Sequence, residues 1–130
     1  MADGGLELVK QAEALRRSGD RAGALARYRA AMAAYGSDQA GRAHCLRHIA
    51  DLSRELDLPD EARAALAEAE ALYRGPVRDP LSLANTLRLR ALVEGDAALW
   101  REARALYERA AEATSLDLSA AFAECDRHLA

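Results

Sequence analysis

The sequence contains little of what a β-sheet protein requires. Of its 130 residues only 5% are aromatic, with a single Phe and a single Trp, and there are only 3 Pro and 8 Gly. We find no alternating runs of Val, Ile or Thr, which are the main signal of a half-buried strand. Hydrophobic residues still make up 51% of the chain, and most of them are Ala and Leu, which favour helices and let helices pack closely. The composition therefore predicts one all-helical domain covering residues 1–130.

Features of several functional classes are also lacking. Cys45 and Cys125 are far apart and outside any Cys-x-x-Cys pair, so we interpret both as small apolar residues in a reducing compartment. A net charge of −3 disfavours nucleic-acid binding. No apolar run approaches the roughly 20 residues of a membrane span, and the N-terminal residues do not resemble a signal peptide. We expect a cytoplasmic protein with no nucleic-acid or membrane partner.

Sequence motifs for catalysis are missing as well. There is no Gly-x-Ser-x-Gly, no Walker loop and no Gly-x-Gly-x-x-Gly, which are the patterns of common nucleophile and phosphate sites. Asp and Glu are frequent, but on helices such residues usually form solvated i, i+4 pairs. We therefore predict that the chain is not an enzyme and uses no cofactor.

One histidine pair leaves a metal site open as an alternative. His44 and His48 lie one helical turn apart and Asp51 follows one turn later, a spacing that suits a divalent ion. The metalloprotease motif requires a Glu directly after the first His, and this chain has a Cys there. Cys125 and His128 form a second, weaker pair. We predict ordinary surface histidines and no metal ligands.

Short turn signals divide the chain at regular intervals. All but the last combine a Gly or Pro with a side chain that caps a helix. They are Ser18-Gly19-Asp20, Gly36-Ser37-Asp38, Asp57-Leu58-Pro59, Gly75-Pro76 with Asp79-Pro80, Gly95-Asp96, and a capping box of Thr114 and Asp117. The segments between them are predicted helices: 6–17, 21–35, 39–55, 59–73, 80–94, 97–113 and 115–129. Connections this short favour antiparallel helix pairs.

An internal repeat relates three of these helix pairs. Ala24, Ala62 and Ala103 are separated by 38 and then 41 residues, and each is surrounded by the same residue types at the same offsets. The matching positions are Leu8, Leu46 and Leu87, then Ala12, Ala50 and Ala91, then Tyr28, Leu66 and Tyr107, then Ala31, Ala69 and Ala110. Helices approach to about 8–10 Å only where small residues lie at the crossing, so the alanines predict the crossings.

This pattern resembles the tetratricopeptide repeat, or TPR. Residues 19–28 read like that family's Gly-Asp-Tyr-Glu-Glu-Ala segment, and residues 79–111 are similar to the longer repeats of kinesin light chains and bacterial signal-transduction regulators, with Trp100 at a position where the family favours an aromatic. The resemblance implies a right-handed superhelical stack of about three TPR-like helix pairs. The repeats would cover about 5–38, 39–78 and 79–114, and a helix at 115–129 would cap the stack.

The resemblance also implies a function, because the first helix of each TPR pair lines a concave groove that receives peptides. The groove-facing positions would be Leu6, Val9, Lys10, Glu13, Arg16 and Arg17, then His44, Arg47, His48, Asp51, Arg54 and Glu55, then Asn85, Arg88, Leu89, Leu92, Gly95 and Asp96. Basic residues outnumber acidic ones there, which favours an acidic or carboxylate-terminated partner.

The partner-binding residues that we predict within this groove are Lys10, Arg17, His44, Arg47, His48, Arg54, Asn85 and Arg88. We expect Arg47 and Arg88 to be neighbours with no acidic partner between them. The alternative is that these arginines are solvated or paired with carboxylates of the next repeat. The leading function is therefore a protein-binding adaptor whose partner is a protein or peptide.

A second function remains open, in which the chain is a self-associating assembly module with an empty groove. Leu118, Phe122, Cys125 and Leu129 form one apolar stripe at helical spacing on the last predicted helix. We interpret this stripe as a cap that packs on the stack, since monomers rarely expose large apolar patches. Docking to a partner, including a second copy in a weak homodimer, is the alternative to a monomer.

Overall fold

Residues 2–130 fold into seven helices joined by short turns. A computed structural model describes the backbone of residues 2–130 and the side chains of residues 4–130, so Met1 lies outside the described residues. The helices are α1 (Ala2–Arg17), α2 (Arg21–Tyr35), α3 (Gln39–Glu55), α4 (Pro59–Arg74), α5 (Pro80–Glu94), α6 (Ala97–Ala113) and α7 (Ser119–Leu129). No strand occurs between residues 2 and 130, so the all-helical prediction is confirmed.

Helix starts follow the predicted caps at four of the six breaks. At each of these an Asp side chain accepts a hydrogen bond from a backbone N–H two or three residues later, which satisfies a donor that the first turn leaves unpaired. The four are Asp20, Asp38, Asp79 and Asp96. At the third break the N-cap is Leu58, which makes no side-chain capping bond. There Pro59 occupies the first turn, where its missing N–H costs nothing.

The last helix begins later than predicted. Thr114 ends α6 with an extended backbone, and its hydroxyl donates to the carbonyl of Ala110 at 2.8 Å. The Asp117 side chain accepts from the N–H of Ser119 at 3.0 Å, so α7 starts at Ser119 and not at residue 115. The predicted capping box is wrong, because the Thr114 hydroxyl bonds to a carbonyl of α6 and not to the first turn of α7.

The predicted repeat positions form the core. The alanines of the repeat, Ala12, Ala24, Ala31, Ala50, Ala62, Ala69, Ala91, Ala103 and Ala110, are all buried. The large residues at the equivalent positions of the three copies, Tyr28, Leu66 and Tyr107, are each only 1% exposed. Leu46 and Leu87 are buried too, and Leu8 packs against the core from its edge. The register predicted from the sequence is therefore the register of the packing.

Each helix packs against the next one along the chain, and the odd-numbered helices also contact one another. α3 contacts both α1 and α5. The backbones of α2, α4 and α6 do not approach one another within residues 2–130, but the ion pairs Arg29–Glu61 and Arg74–Glu102 join α2 to α4 and α4 to α6. The backbone of α7 lies closest to α6, and Leu118, Phe122, Cys125 and Leu129 of the predicted stripe pack on the core. α7 also reaches α5 through the ion pair of Glu124 with Arg88. The side chains of α1, α3 and α5 on the far side from α2, α4 and α6 form a surface that we call the odd-helix face.

Both cysteines are free and buried, as expected for small apolar core residues. Burial raises the pKa of the Cys45 thiol to about 11, which keeps it protonated and unreactive at neutral pH. None of the described helices is long and apolar enough to cross a membrane.

Candidate ligand-binding face

The odd-helix face carries most of the residues predicted to bind a partner. Lys10 and Arg17 on α1 are exposed, whereas the residues on α3 and α5 are half-buried: His44, Arg47, His48, Arg54, Asn85 and Arg88. The prediction that Val9 and Leu89 face the groove is wrong. Val9 is 4% exposed and Leu89 is 3% exposed, because both turn into the interface with neighbouring helices and join the core.

An ion-pair network ties α1 to the end of α3. The Arg16 guanidinium donates to the Asp51 carboxylate at 2.7 Å and also contacts Glu55. Arg54 donates to the other Asp51 oxygen at 2.8 Å. Burial disfavours the charged form of Asp51, but the hydrogen bonds from Arg54 and Arg16 outweigh it and lower the pKa. Arg54 is therefore engaged by a carboxylate of its own helix and not by one of the next repeat.

Arg88 also has an acidic partner, and the expectation that it lacks one is wrong. Its guanidinium binds the Glu124 carboxylate of α7 with two nitrogens, Nη2 donating to Oε2 at 3.0 Å and Nε donating to Oε1. This hydrogen bonding holds the pKa of Glu124 below its usual range. Beside the pair, the Tyr107 hydroxyl donates to Asn85 Oδ1 at 2.6 Å. The carboxylate that pairs with Arg88, at the α5 end of the odd-helix face, thus comes from the last helix.

Arg47 differs from the other half-buried arginines of the face. None of the described carboxylates lies within ion-pair distance of it. Its Nε is buried without a hydrogen-bond partner, as is the Nε of Arg54. Tyr73 and Tyr107 lie near enough that its charge partly offsets the rise in their pKa caused by burial. Arg47 is therefore a half-buried cation that the described part of the chain does not neutralise.

Aromatic rings lie directly beside this cation. His48 stacks on Tyr28 with ring centroids 4.9 Å apart and planes 4° apart, and His44 meets His48 edge-on at 4.6 Å. Burial lowers the pKa of His48 to about 3, and the positive charge of Arg47 adds to the effect. Burial lowers the pKa of His44 as well. Both imidazoles are neutral at pH 7, so they offer apolar ring surface and no extra charge.

The geometry does not support the metal alternative. The Asp51 carboxylate, which would be the third ligand, is bound by Arg16 and Arg54. Among residues 4–130 there is no group of three His, Cys, Asp or Glu side chains placed to hold an ion.

Two open clefts lie at the ends of the face. One of about 370 Å³ is lined by Glu13, Arg16, Arg17, Tyr28 and His48. Another of about 360 Å³ lies between α5 and α7 and is lined by Asn85, Arg88, Tyr107, Ala120, Ala121, Glu124 and Arg127. A larger cleft of about 460 Å³ lies between α4 and α5, but its charged walls are paired with each other, since Glu70 binds both Arg74 and Arg90.

Glu124 is the residue of the face that sequence reasoning missed. It lies on the last helix, which was predicted only to cap the stack. No sequence spacing links it to Arg88, which lies 36 residues earlier. Tyr28 and Tyr107 were visible because both occupy the same repeat position, but their place near Arg47 was not.

Comparison with protein-family models, with curated proteins and with solved structures gives no match to this chain.

Proposed function

We propose that this chain is a non-catalytic adaptor of the TPR type that binds an acidic peptide or protein along the odd-helix face. The burial of every repeat alanine supports a TPR-like register. The backbones of the odd-numbered helices approach one another, whereas those of the described even-numbered helices stay farther apart and are joined by long ion-paired side chains. This difference suits a curved superhelical stack with the odd-helix face on its inner side. The two clefts and the aromatic rings between them give a ligand both room and apolar surface.

Arg47 is the observation that carries the acidic preference. Arg16, Arg54 and Arg88 already bind carboxylates of the chain, so their charge attracts a ligand only weakly. A guanidinium prefers a carboxylate that it can grip through a planar fork. A ligand carboxylate would supply the countercharge that Arg47 lacks among the described side chains, while the neutral His44 and His48 rings pack against the apolar part of the ligand.

Capture of partners by single variants tests the proposal. We expect Arg47→Gln to lose the partners that the wild-type chain retains from a host lysate, with little change in melting temperature. Arg27→Gln is the matched control, because Arg27 is exposed on α2, away from the odd-helix face. Wild-type capture should also weaken as salt rises, since exposed charges are screened within about 8 Å at physiological ionic strength.

Equal capture by wild type and Arg47→Gln would refute the role of Arg47. A large drop in melting temperature for Arg47→Gln alone would show instead that this residue is structural.

Two exposed leucines favour self-association as a second candidate. Leu6 on α1 is 49% exposed and Leu116, just before α7, is 53% exposed, so each end of the helix series has a large apolar side chain in solvent. Light scattering over a dilution series separates the two functions. An adaptor keeps the mass of one chain at every concentration, whereas an assembly module gains mass as concentration rises and loses it in Leu6→Ser or Leu116→Ser.

A further inference from the structure

The cleft between α5 and α7 is built like a binding site for a carboxylate. Arg88 presents two nitrogens in one direction, which is the geometry that a guanidinium uses to hold a carboxylate. Asn85 and Arg127 line the same cleft. The positive charge of Arg127 further lowers the pKa of Glu124, whose carboxylate lies in this cleft. Arg127 itself has no ion-pair partner among the described side chains.

The group that occupies this site belongs to the chain itself. Glu124 places its carboxylate on Arg88, and its side chain is 19% exposed. The remaining contacts of α7 are made with α6. Cys125 is buried, Asp126 accepts from Arg104 at 2.8 Å, and the His128 ring stacks on Trp100 at 4.0 Å. Rotation of the Glu124 side chain would therefore free Arg88 without detaching α7.

We propose that Glu124 is a built-in competitor, which fills the carboxylate site of Arg88 until a ligand carboxylate displaces it. This inference rests on the proposed function, because it assigns a second anchor and a built-in selectivity to the same face. A tethered carboxylate acts at a high effective concentration. Weak or singly charged ligands would then fail at Arg88, and a ligand already anchored at Arg47 would compete successfully.

The test follows the Nε–H signal of Arg88 by NMR while sodium acetate is added, with sodium chloride at matched ionic strength as the reference. In the wild type we expect no response to acetate beyond that to chloride. In Glu124→Gln, which keeps the shape and removes the charge, the signal should shift saturably, with apparent affinity at least about tenfold higher. Glu124→Asp, which keeps the charge on a shorter side chain, should fall between the two.

Asp126→Asn is the matched control, because it removes one negative charge from the same helix outside the cleft. The proposal is overturned if the Arg88 signal in Glu124→Gln responds no more than in the wild type, or if Asp126→Asn responds equally. Protected α7 amides in hydrogen exchange show that the helix remains docked. If α7 unfolds in Glu124→Gln, the acetate titration of Glu124→Asp takes its place as the test. A response in Glu124→Asp equal to that of the wild type then overturns the proposal.

Acetate needs no partner, so this result is independent of whether the face captures a protein. If the wild type retains no partner, or Arg47→Gln retains the same partners as the wild type, while the acetate result is as expected, the proposed function alone is refuted.

Discussion

Single residues decide how closely the helices approach. Ala62 is fully buried in α4, whereas Ala64, two residues later, is exposed. Ala62→Leu should therefore lower the free energy of unfolding by about 1–3 kcal/mol, because three extra carbons must fit into a filled space. Ala64→Leu should change it by less than about 0.5 kcal/mol. Urea unfolding of both variants checks this, and equal midpoints would place the helix crossings elsewhere.

The buried histidines make stability depend on pH. The pKa of His48 is about 3 in the folded chain and about 6.5 unfolded, so between these values the unfolded chain binds more protons. Stability is then complete above pH 6.5 and falls as the pH drops, by about 2 kcal/mol at pH 5. His44 contributes in the same direction.

His48→Phe keeps a ring on Tyr28 but cannot be protonated, so its unfolding free energy should fall less between pH 7 and pH 5. Asp51 and Glu124 do not interfere, because their pKa values are lowered and their contribution is lost only at more acidic pH. Parallel curves for the two proteins would mean that His48 titrates normally.

At the scale of elements, turns with the same backbone conformation use different residues. The residue two positions after the end of α3 is Asp57, with φ of 59°, whereas α5 is followed by Gly95, with φ of 69°. This left-handed region suits glycine, which has no Cβ to clash. We expect Asp57→Gly to raise the unfolding free energy by about 0.5–1 kcal/mol and Gly95→Ala to lower it by about 1 kcal/mol.

A Cβ at Gly95 would meet no atom within 4 Å, so the cost there would come from the backbone alone. Chemical denaturation of the two variants measures both effects. Changes of the same sign would show that side-chain contacts, and not φ, control these turns.

Helix boundaries were predictable where a cap acts locally. Asp20, Asp38, Asp79 and Asp96 each bond to a backbone N–H two or three residues away, so the signal and its effect lie within one turn. The start of α7 was not predictable from the same rule. From the sequence alone, the Thr114 hydroxyl could bond to either the preceding or the following helix. Its bond to the Ala110 carbonyl depends on how α6 ends.

At the scale of the whole molecule, the sequence specifies the packing more clearly than the site. The repeat of small residues determines which positions meet, and the burial of Ala12, Ala50 and Ala91 follows from it. Ion pairs such as Arg88 with Glu124 join residues 36 positions apart through long side chains, and no periodicity encodes them. Consequently the repeat positions of the core were predicted, whereas the burial of Val9 and Leu89 and the pairing of Arg88 required the structure.

The central claim is that the odd-helix face selects acidic ligands through Arg47. The most direct measurement is selection of a displayed random-peptide library, with free C-termini, on the wild type, Arg47→Gln and Arg27→Gln in parallel. We predict that the wild type and Arg27→Gln enrich the same peptides, rich in Asp and Glu or ending in an engaged carboxylate, and that Arg47→Gln does not. Enrichment of the same peptides by all three proteins, or of peptides with no acidic bias by the wild type, would contradict the claim.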